Sequence, residues 1–268
     1  MDYQVSLQKC QQLTNILKKI KQKSQQPPDA DFLKLLRQAL TAAQALQEEN
    51  IAVQLSAVME ALERQLTELT EHRREALWVA AREAAWPCKR FDRFDRLLPL
   101  EVEYQPTKVR LKVGSETYQE VQELDGARLF HRVKEAAEKL AQAPFQREEF
   151  FRLLHAAYAF VRQTSSRSDD WLHIRQLYPT MVLLQQTMNQ EFMKQPEGRQ
   201  FRSYPSAQFV YDLSRFGQEG WSCRGYKLET RTPSMRETAQ AMILPNLASV
   251  EQPGPQIAHL RIVKQEVT

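Results

Sequence analysis

Apolar residues recur at steps of three and four through the first 86 residues, a stretch with no glycine and only two prolines, Pro27 and Pro28. That spacing lines apolar side chains along one helix face, so this third of the chain is expected to be helical. Leu7, Leu13, Ile16, Leu17 and Ile20 mark the first helix, and the polar, proline-containing segment 24–29 breaks it. Asp31 is the expected N-cap of a second helix carrying Phe32, Leu35, Leu36, Ala39, Leu40, Ala43 and Leu46. A third runs from Ile51 through Leu55, Val58, Met59, Leu62, Leu66 and Leu69 until Trp86-Pro87, where the proline constrains its predecessor and removes an amide donor. Its stripe suits packing on other helices, in a bundle or a coiled-coil-like hairpin, and Leu55, Leu62, Leu66 and Leu69 are the expected partner-binding residues.

Past residue 87 the period changes to two. Leu100, Val102 and Tyr104 alternate with Glu101 and Glu103; Val109, Leu111 and Val113 alternate with Lys108, Arg110 and Lys112. A turn at Gly114-Ser115 and a return strand through Tyr118 and Val121 complete a small expected β-insert. Helical spacing resumes after a cap at Asp125, with Leu129, Val133, Ala136, Ala137 and Leu140 on one face. Beyond Pro144 the series is Phe150, Phe151, Leu154, Ala157, Tyr158 and Val161, which makes a helical hairpin. The polar segment 164–170 then ends in Asp169-Asp170, the expected cap of a helix through Trp171, Ile174, Leu177, Met181, Leu184 and Met188. A short helix is bracketed by Pro205 and Gly217, and strands are expected over 226–230 and 257–263. The predicted architecture is mainly α with a small α+β part. Its divisions are an N-terminal helical region (1–87), a linker with a short β-hairpin (88–124) and a C-terminal helical and α+β domain (125–268).

Composition narrows the function more than it names it. Seven glycines in 268 residues are few for a fold built on phosphate-cradling or nucleophile turns. The polar N-terminus and the absence of a long apolar run argue against a signal peptide and a membrane span. Cys10, Cys88 and Cys223 are widely separated, as expected of a reduced, cytoplasmic chain. The histidines, His72, His131, His155, His173 and His259, show no metal-ligand spacing, so no metal or cofactor is expected. An enzyme would have to assemble its site from distant residues, with Asp212, Cys223 and His259 as candidates; the favoured expectation is a non-enzymatic protein.

Charge is patterned rather than large. The formal net charge is +4. Lys9, Lys18, Lys19, Lys21 and Lys23 make the first helix basic, while acids outnumber bases over 29–75, so these two parts are expected to attract one another or a second subunit. Between Glu197 and Lys264 nine bases face six acids, and aromatics interleave with arginines. Arg199, Arg202, Arg224, Lys227, Arg231 and Arg236 are therefore the candidate nucleic-acid-binding residues; the same planar guanidinium forks suit carboxylates at a protein interface.

The segment running from Phe201-Arg202-Ser203-Tyr204-Pro205 through Phe209-Val210-Tyr211-Asp212-Leu213 to Arg215-Phe216 resembles a pattern in small bacterial proteins that accompany SMC-like ATPases. The resemblance extends loosely back to Asp125 and does not reach the first 120 residues. It implies an accessory subunit of a DNA-surveillance or anti-phage and anti-plasmid system, of the Lamassu type or similar. Such a subunit would have an SMC-like ATPase and an effector nuclease as partners, with DNA contacted by the complex. A stand-alone nucleic-acid-binding regulator is the alternative.

Overall fold

The computed structural model describes residues 3–24, 30–105, 108–122, 125–165 and 169–265. The expected break at 25–29, the middle of the expected 164–170 loop and the side chain of Leu7 lie outside them. Among the described residues the chain has eight α-helices and antiparallel sheets of five, four and two strands, a mainly α fold with a smaller β part.

Three helices open the chain: α1 (Tyr3–Lys23), α2 (Ala30–Ala45) and α3 (Glu49–Glu83). Helix α2 packs on both of the others, and Leu13, Leu33, Leu36, Ala39, Ala43, Leu55, Leu62 and Leu66 are the buried residues of this unit. Asp31, expected as a cap, instead sits inside the first turn of α2, where the helix dipole favours its charge and Lys23 Nζ lies 3.4 Å away. Helices α2 and α3 both end with a left-handed residue. The Gln47 N–H donates to Gln44 O (3.1 Å) and the Glu48 N–H to Ala43 O (3.1 Å), around Gln47 at φ 59°. The same pair of bonds recurs from Ala85 to Arg82 O (3.0 Å) and from Trp86 to Ala81 O (2.9 Å), around Ala85 at φ 50°. Helix α3 thus stops at Glu83, before Trp86-Pro87, because this left-handed cap already satisfies its last carbonyls.

At 35 residues, α3 is about 52 Å long, and its C-terminal half enters a second core through Leu77 and Ala81. Against that half lies an antiparallel meander of β1 (Cys88–Arg90), β2 (Phe94–Leu97), β3 (Leu100–Tyr104), β4 (Val109–Val113) and β5 (Glu116–Val121), in that spatial order. The expected hairpin is therefore three of five strands. Strands β3 and β4 show the expected alternation, with Leu100, Val102, Val109, Leu111 and Val113 buried. In β2 the buried residues are Asp95, Arg96 and Leu97, a run without alternation.

Polar residues join α3 to this sheet. Asp95 is 0% exposed and accepts from Arg74 Nη2 (2.8 Å), Arg74 Nε (3.0 Å) and Tyr104 Oη (2.8 Å). Arg74 also donates to the carbonyls of Phe91 and Asp92, so one guanidinium ties the helix to the β1–β2 turn. Burial and the facing carboxylate push the Tyr104 phenol far up, so it stays a donor to Asp95. The adjacent Arg73 is 4% exposed, with Nε and Nη1 unbonded, and burial lowers its pKa.

The rest of the chain shares the core of the meander. Helix α4 (Gly126–Gln142) is capped as expected, the Asp125 side chain accepting from the Arg128 N–H at 2.9 Å. Gly126 lies so close to α3 that a Cβ would come within 2.3 Å of Ala76 Cβ. Helix α5 (Arg147–Thr164) follows, then β6 (Leu172–His173), α6 (Ile174–Thr187), α7 (Gln190–Lys194) and α8 (Ser206–Gln218). The expected cap at Asp169-Asp170 is corrected: Asp169 accepts from the Trp171 N–H and Asp170 pairs with Arg162, because two residues of strand intervene before α6. His173 is the cap, its Nδ1 accepting from the Arg175 N–H at 3.2 Å.

Strands β7 (Ser222–Cys223), β8 (Tyr226–Arg231) and β11 (His259–Lys264) join β6 in the order β6-β11-β8-β7, while β9 (Met242–Ile243) pairs with β10 (Gln256–Ile257). Helix α8 buries Phe209, Val210, Tyr211, Asp212, Leu213, Ser214 and Phe216, nearly its whole circumference, as befits a central core helix. Phe150 and Phe151 of α5 pack on Phe216 with ring centroids 5.8 Å apart.

Candidate interaction site

Two features stand apart from the packed core: the exposed flank of the α3 stripe and a cleft beside α8. On α3, Leu55, Leu62 and Leu66 are spent on the chain's own core, covered by the N-terminal helices. This corrects three of the four expected partner contacts, since the stripe that marks a docking face also serves a helix packing in cis. Leu69 remains outside, 53% exposed, and Val58 is 49% exposed. These two are eleven residues apart, three turns, and so share a side of the helix. Val53 and Val79 are exposed as well, so apolar side chains meet solvent along most of α3.

The six candidate nucleic-acid residues do not form one free cationic surface. Arg199 pairs with Glu197 at 2.7 Å, Arg224 pairs with Glu148, and Lys227 lies 3.5 Å from Glu229. Arg224 occupies the tip of the β7–β8 hairpin at φ 51°, followed by Gly225 at φ 76°. Arg202, Arg231 and Arg236 are exposed and have no carboxylate at ion-pair distance among the described residues. They come from separate elements: Arg202 precedes α8, Arg231 ends β8, and Arg236 lies in the connection after it. Within the expected basic N-terminal helix, Lys23 pairs with Asp31, the acid of the neighbouring helix.

The residues named for an assembled enzyme also diverge. Asp212 points within α8, Cys223 is in β7, and His259 on β11 stands opposite His173 on β6, with ring centroids 5.2 Å apart. His259 Nε2 is 3.5 Å from Glu237 Oε1. Sequence reasoning missed this histidine pair because only strand pairing joins residues 86 positions apart. No group of three or more metal-ligating side chains converges among the described residues.

Asp212 is the centre of the cleft. Gln208, Asp212 and Arg215 follow one another at four and three residues on α8 and so share a face. Gln208 Nε2 donates to Asp212 Oδ1 at 2.9 Å, and Tyr204 Oη donates to Oδ2 at 2.8 Å. Asp212 is only 5% exposed; burial raises its carboxyl pKa, opposed by these two hydrogen bonds and by Arg215, whose Nη1 lies 3.8 Å away. With both oxygens engaged, the carboxylate positions its neighbours rather than offering itself to a ligand.

The strand-like approach to α8 is fixed on its other side by α6 and α7. Gln186 Nε2 donates to Arg202 O and Gln186 Oε1 accepts from the Arg202 N–H, both at 2.9 Å. Asn189 Nδ2 donates to Gln200 O at 2.7 Å, and Tyr178 Oη to Tyr204 O at 2.7 Å. The backbone of Arg202 is thereby held while its side chain stays exposed. Between this segment and α5 lies a cavity of about 390 Å³ floored by Phe145, Phe150, Leu153 and Met181. A second space of about 850 Å³ shares Pro144, Gln185, Arg202, Tyr204 and Asp212 with it and reaches Tyr118 and Lys139. The signal in the sequence was the spacing of Gln208, Asp212 and Arg215; Tyr204 becomes part of it only through the extended entry to α8.

No helix among the described residues is long and apolar enough to cross a membrane. Comparison with known protein families, with characterised proteins and with solved structures finds no match to this chain.

Proposed function

We propose that the chain is a non-enzymatic interaction subunit that docks through the exposed flank of α3 carrying Val58 and Leu69 onto a helical protein partner. The observation that carries this reading is the exposure of Val58 and Leu69 along the flank of the α3 stripe whose Leu55, Leu62 and Leu66 are already buried. Exposed apolar side chains of this kind lose contact with water when a second helix packs over them, which favours association. The resemblance of the 201–216 segment gives the partner its class: an SMC-like ATPase of a cytoplasmic defence complex, with an effector nuclease and DNA brought in by the assembly.

The test is co-expression with the neighbouring gene products, affinity purification and mass spectrometry, for the natural chain and for the Val58→Asp and Leu69→Asp variants. A stoichiometric ATPase complex with the natural chain, lost in both variants while their melting temperatures hold, is the expected result. A chain recovered alone contradicts it. In that case, steeply salt-dependent binding to a DNA duplex moves the function to the nucleic-acid-binding alternative.

A further inference from the structure

The cleft beside α8 has the composition of a ligand site independent of the α3 face. Its floor, Phe145, Phe150, Leu153 and Met181, is apolar and aromatic. Arg215 stacks over Phe145 at 4.5 Å, holding that ring in place. Both cleft carboxylates are already engaged: Asp212 by Tyr204 and Gln208, Glu149 by Arg152 at 2.6 Å. Its two outer cations are not, since Arg202 and Lys139 are exposed and have no carboxylate at ion-pair distance among the described residues. The charge left over for a ligand is therefore positive.

One further group is unsatisfied. Gln185 lines both spaces, and its Oε1 is buried without a hydrogen-bond partner. A buried acceptor left unpaired is costly, and a donor placed in the cavity removes that cost. The space of about 390 Å³ falls in the range of small-molecule sites. A peptide laid along the neighbouring β5 is a poorer fit: that outermost strand is irregular opposite Leu111 and Lys112 and carries Glu116 and Glu120, both features that discourage strand addition.

We propose that this cleft binds a small aromatic anion bearing a ring N–H or O–H, its ring on Phe145 and Phe150, its donor to Gln185 Oε1 and its anionic group to Arg202 with help from Lys139. The acid and the ring are recognised by different residues, so each can be removed separately.

Calorimetric titration of the full chain with indole-3-acetate, indole-3-acetamide and naphthalene-1-acetate tests the assignment, with 4-hydroxyphenylacetate as a smaller member of the class. Saturable one-to-one binding of indole-3-acetate is expected, about tenfold tighter than the uncharged amide because a hydrogen bond to a charged group is lost with the acid. Arg202→Gln should remove most of that difference, whereas Arg236→Gln, a cation outside the cleft, should leave it intact. Gln185→Leu should weaken indole-3-acetate and spare naphthalene-1-acetate, which has no ring donor. Absence of saturable binding by both donor-bearing acids overturns the proposal, as does equal affinity for acid and amide or indifference to Arg202→Gln. All three substitutions are at positions outside the fully buried core, and the melting temperature of each variant reports whether it folds.

Discussion

The N-terminal helices and the remainder of the chain bury apolar residues in contrasting ways. Around α8, Phe209, Phe216, Leu154, Leu140 and Leu111 are all sealed from solvent, and helices and strands from throughout residues 77–262 contribute to one core. The helices α1 to α3 bury Leu36, Ala39 and Ala43 of α2 equally well, while much of their remaining apolar surface, including Ile16, Leu17, Ile20 and Met59, is only half covered. A region with few sealed residues opens at lower free energy than one with many. The difference teaches where this chain has stability to spare and where it leaves apolar surface uncovered: the core around α8 is sealed by its own elements, and the N-terminal helices are where the proposed docking would add cover.

The two regions are coupled by α3, and the sharpest way to break the comparison is at their joint. Asp95→Ala leaves the Arg74 guanidinium buried without its counter-charge, and removal of one member of such a pair costs about 3–5 kcal/mol. Urea unfolding followed by circular dichroism should show that loss, with the β-meander and the helices destabilised together; a loss below about 1 kcal/mol would mean that Arg74 finds other partners.

A substitution within the helical unit separates the regions instead. Leu36→Ala removes a side chain buried between the N-terminal helices, for an expected cost of about 2–5 kcal/mol to that unit. Amide exchange should accelerate over α1 and α2 and remain slow over α8, and equal acceleration in both would show that the two cores unfold as one.

The smallest expected change has the opposite sign. Arg73 is buried beside Arg74 with two unbonded nitrogens, so Arg73→Met should stabilise the free chain by about 1–3 kcal/mol, the desolvation cost of an unsatisfied polar group. A fall in melting temperature would assign Arg73 a compensating interaction.

Legibility followed the range of the interactions. Helices α2, α3, α4 and α5 were visible as steps of three and four, and β3 and β4 as alternation, because local geometry imposes those periods on any half-buried element, whereas α8 showed only through the Pro205 and Gly217 that bracket it. Strands β1 and β2 were not, because Asp95 and Arg96 are buried where alternation wants apolar residues, and what makes that tolerable is Arg74, 21 residues upstream on a helix, and the carbonyls of Val250 and Gln252 that receive Arg96. Strand β6 was hidden for the same reason: two residues become strand only by pairing with β11, at the far end of the chain. The stripe of α3 was visible, yet a stripe does not say whether its cover comes from the same chain, and Leu55, Leu62 and Leu66 went to α2 while Leu69 did not. Of the cleft, the sequence singled out Asp212 only as a candidate for an assembled enzyme site and Arg202 only as a candidate nucleic-acid contact; Gln185, Lys139 and Phe145 reached the cleft through tertiary packing alone.

Hydrogen exchange on the affinity-purified assembly, compared with the free chain, tests the docking of α3 most directly. The account predicts new protection over residues 51–69 of α3, with little change over β8 and the segment around Arg236. Protection confined to residues 199–236, with α3 exchanging as it does in the free chain, would contradict it.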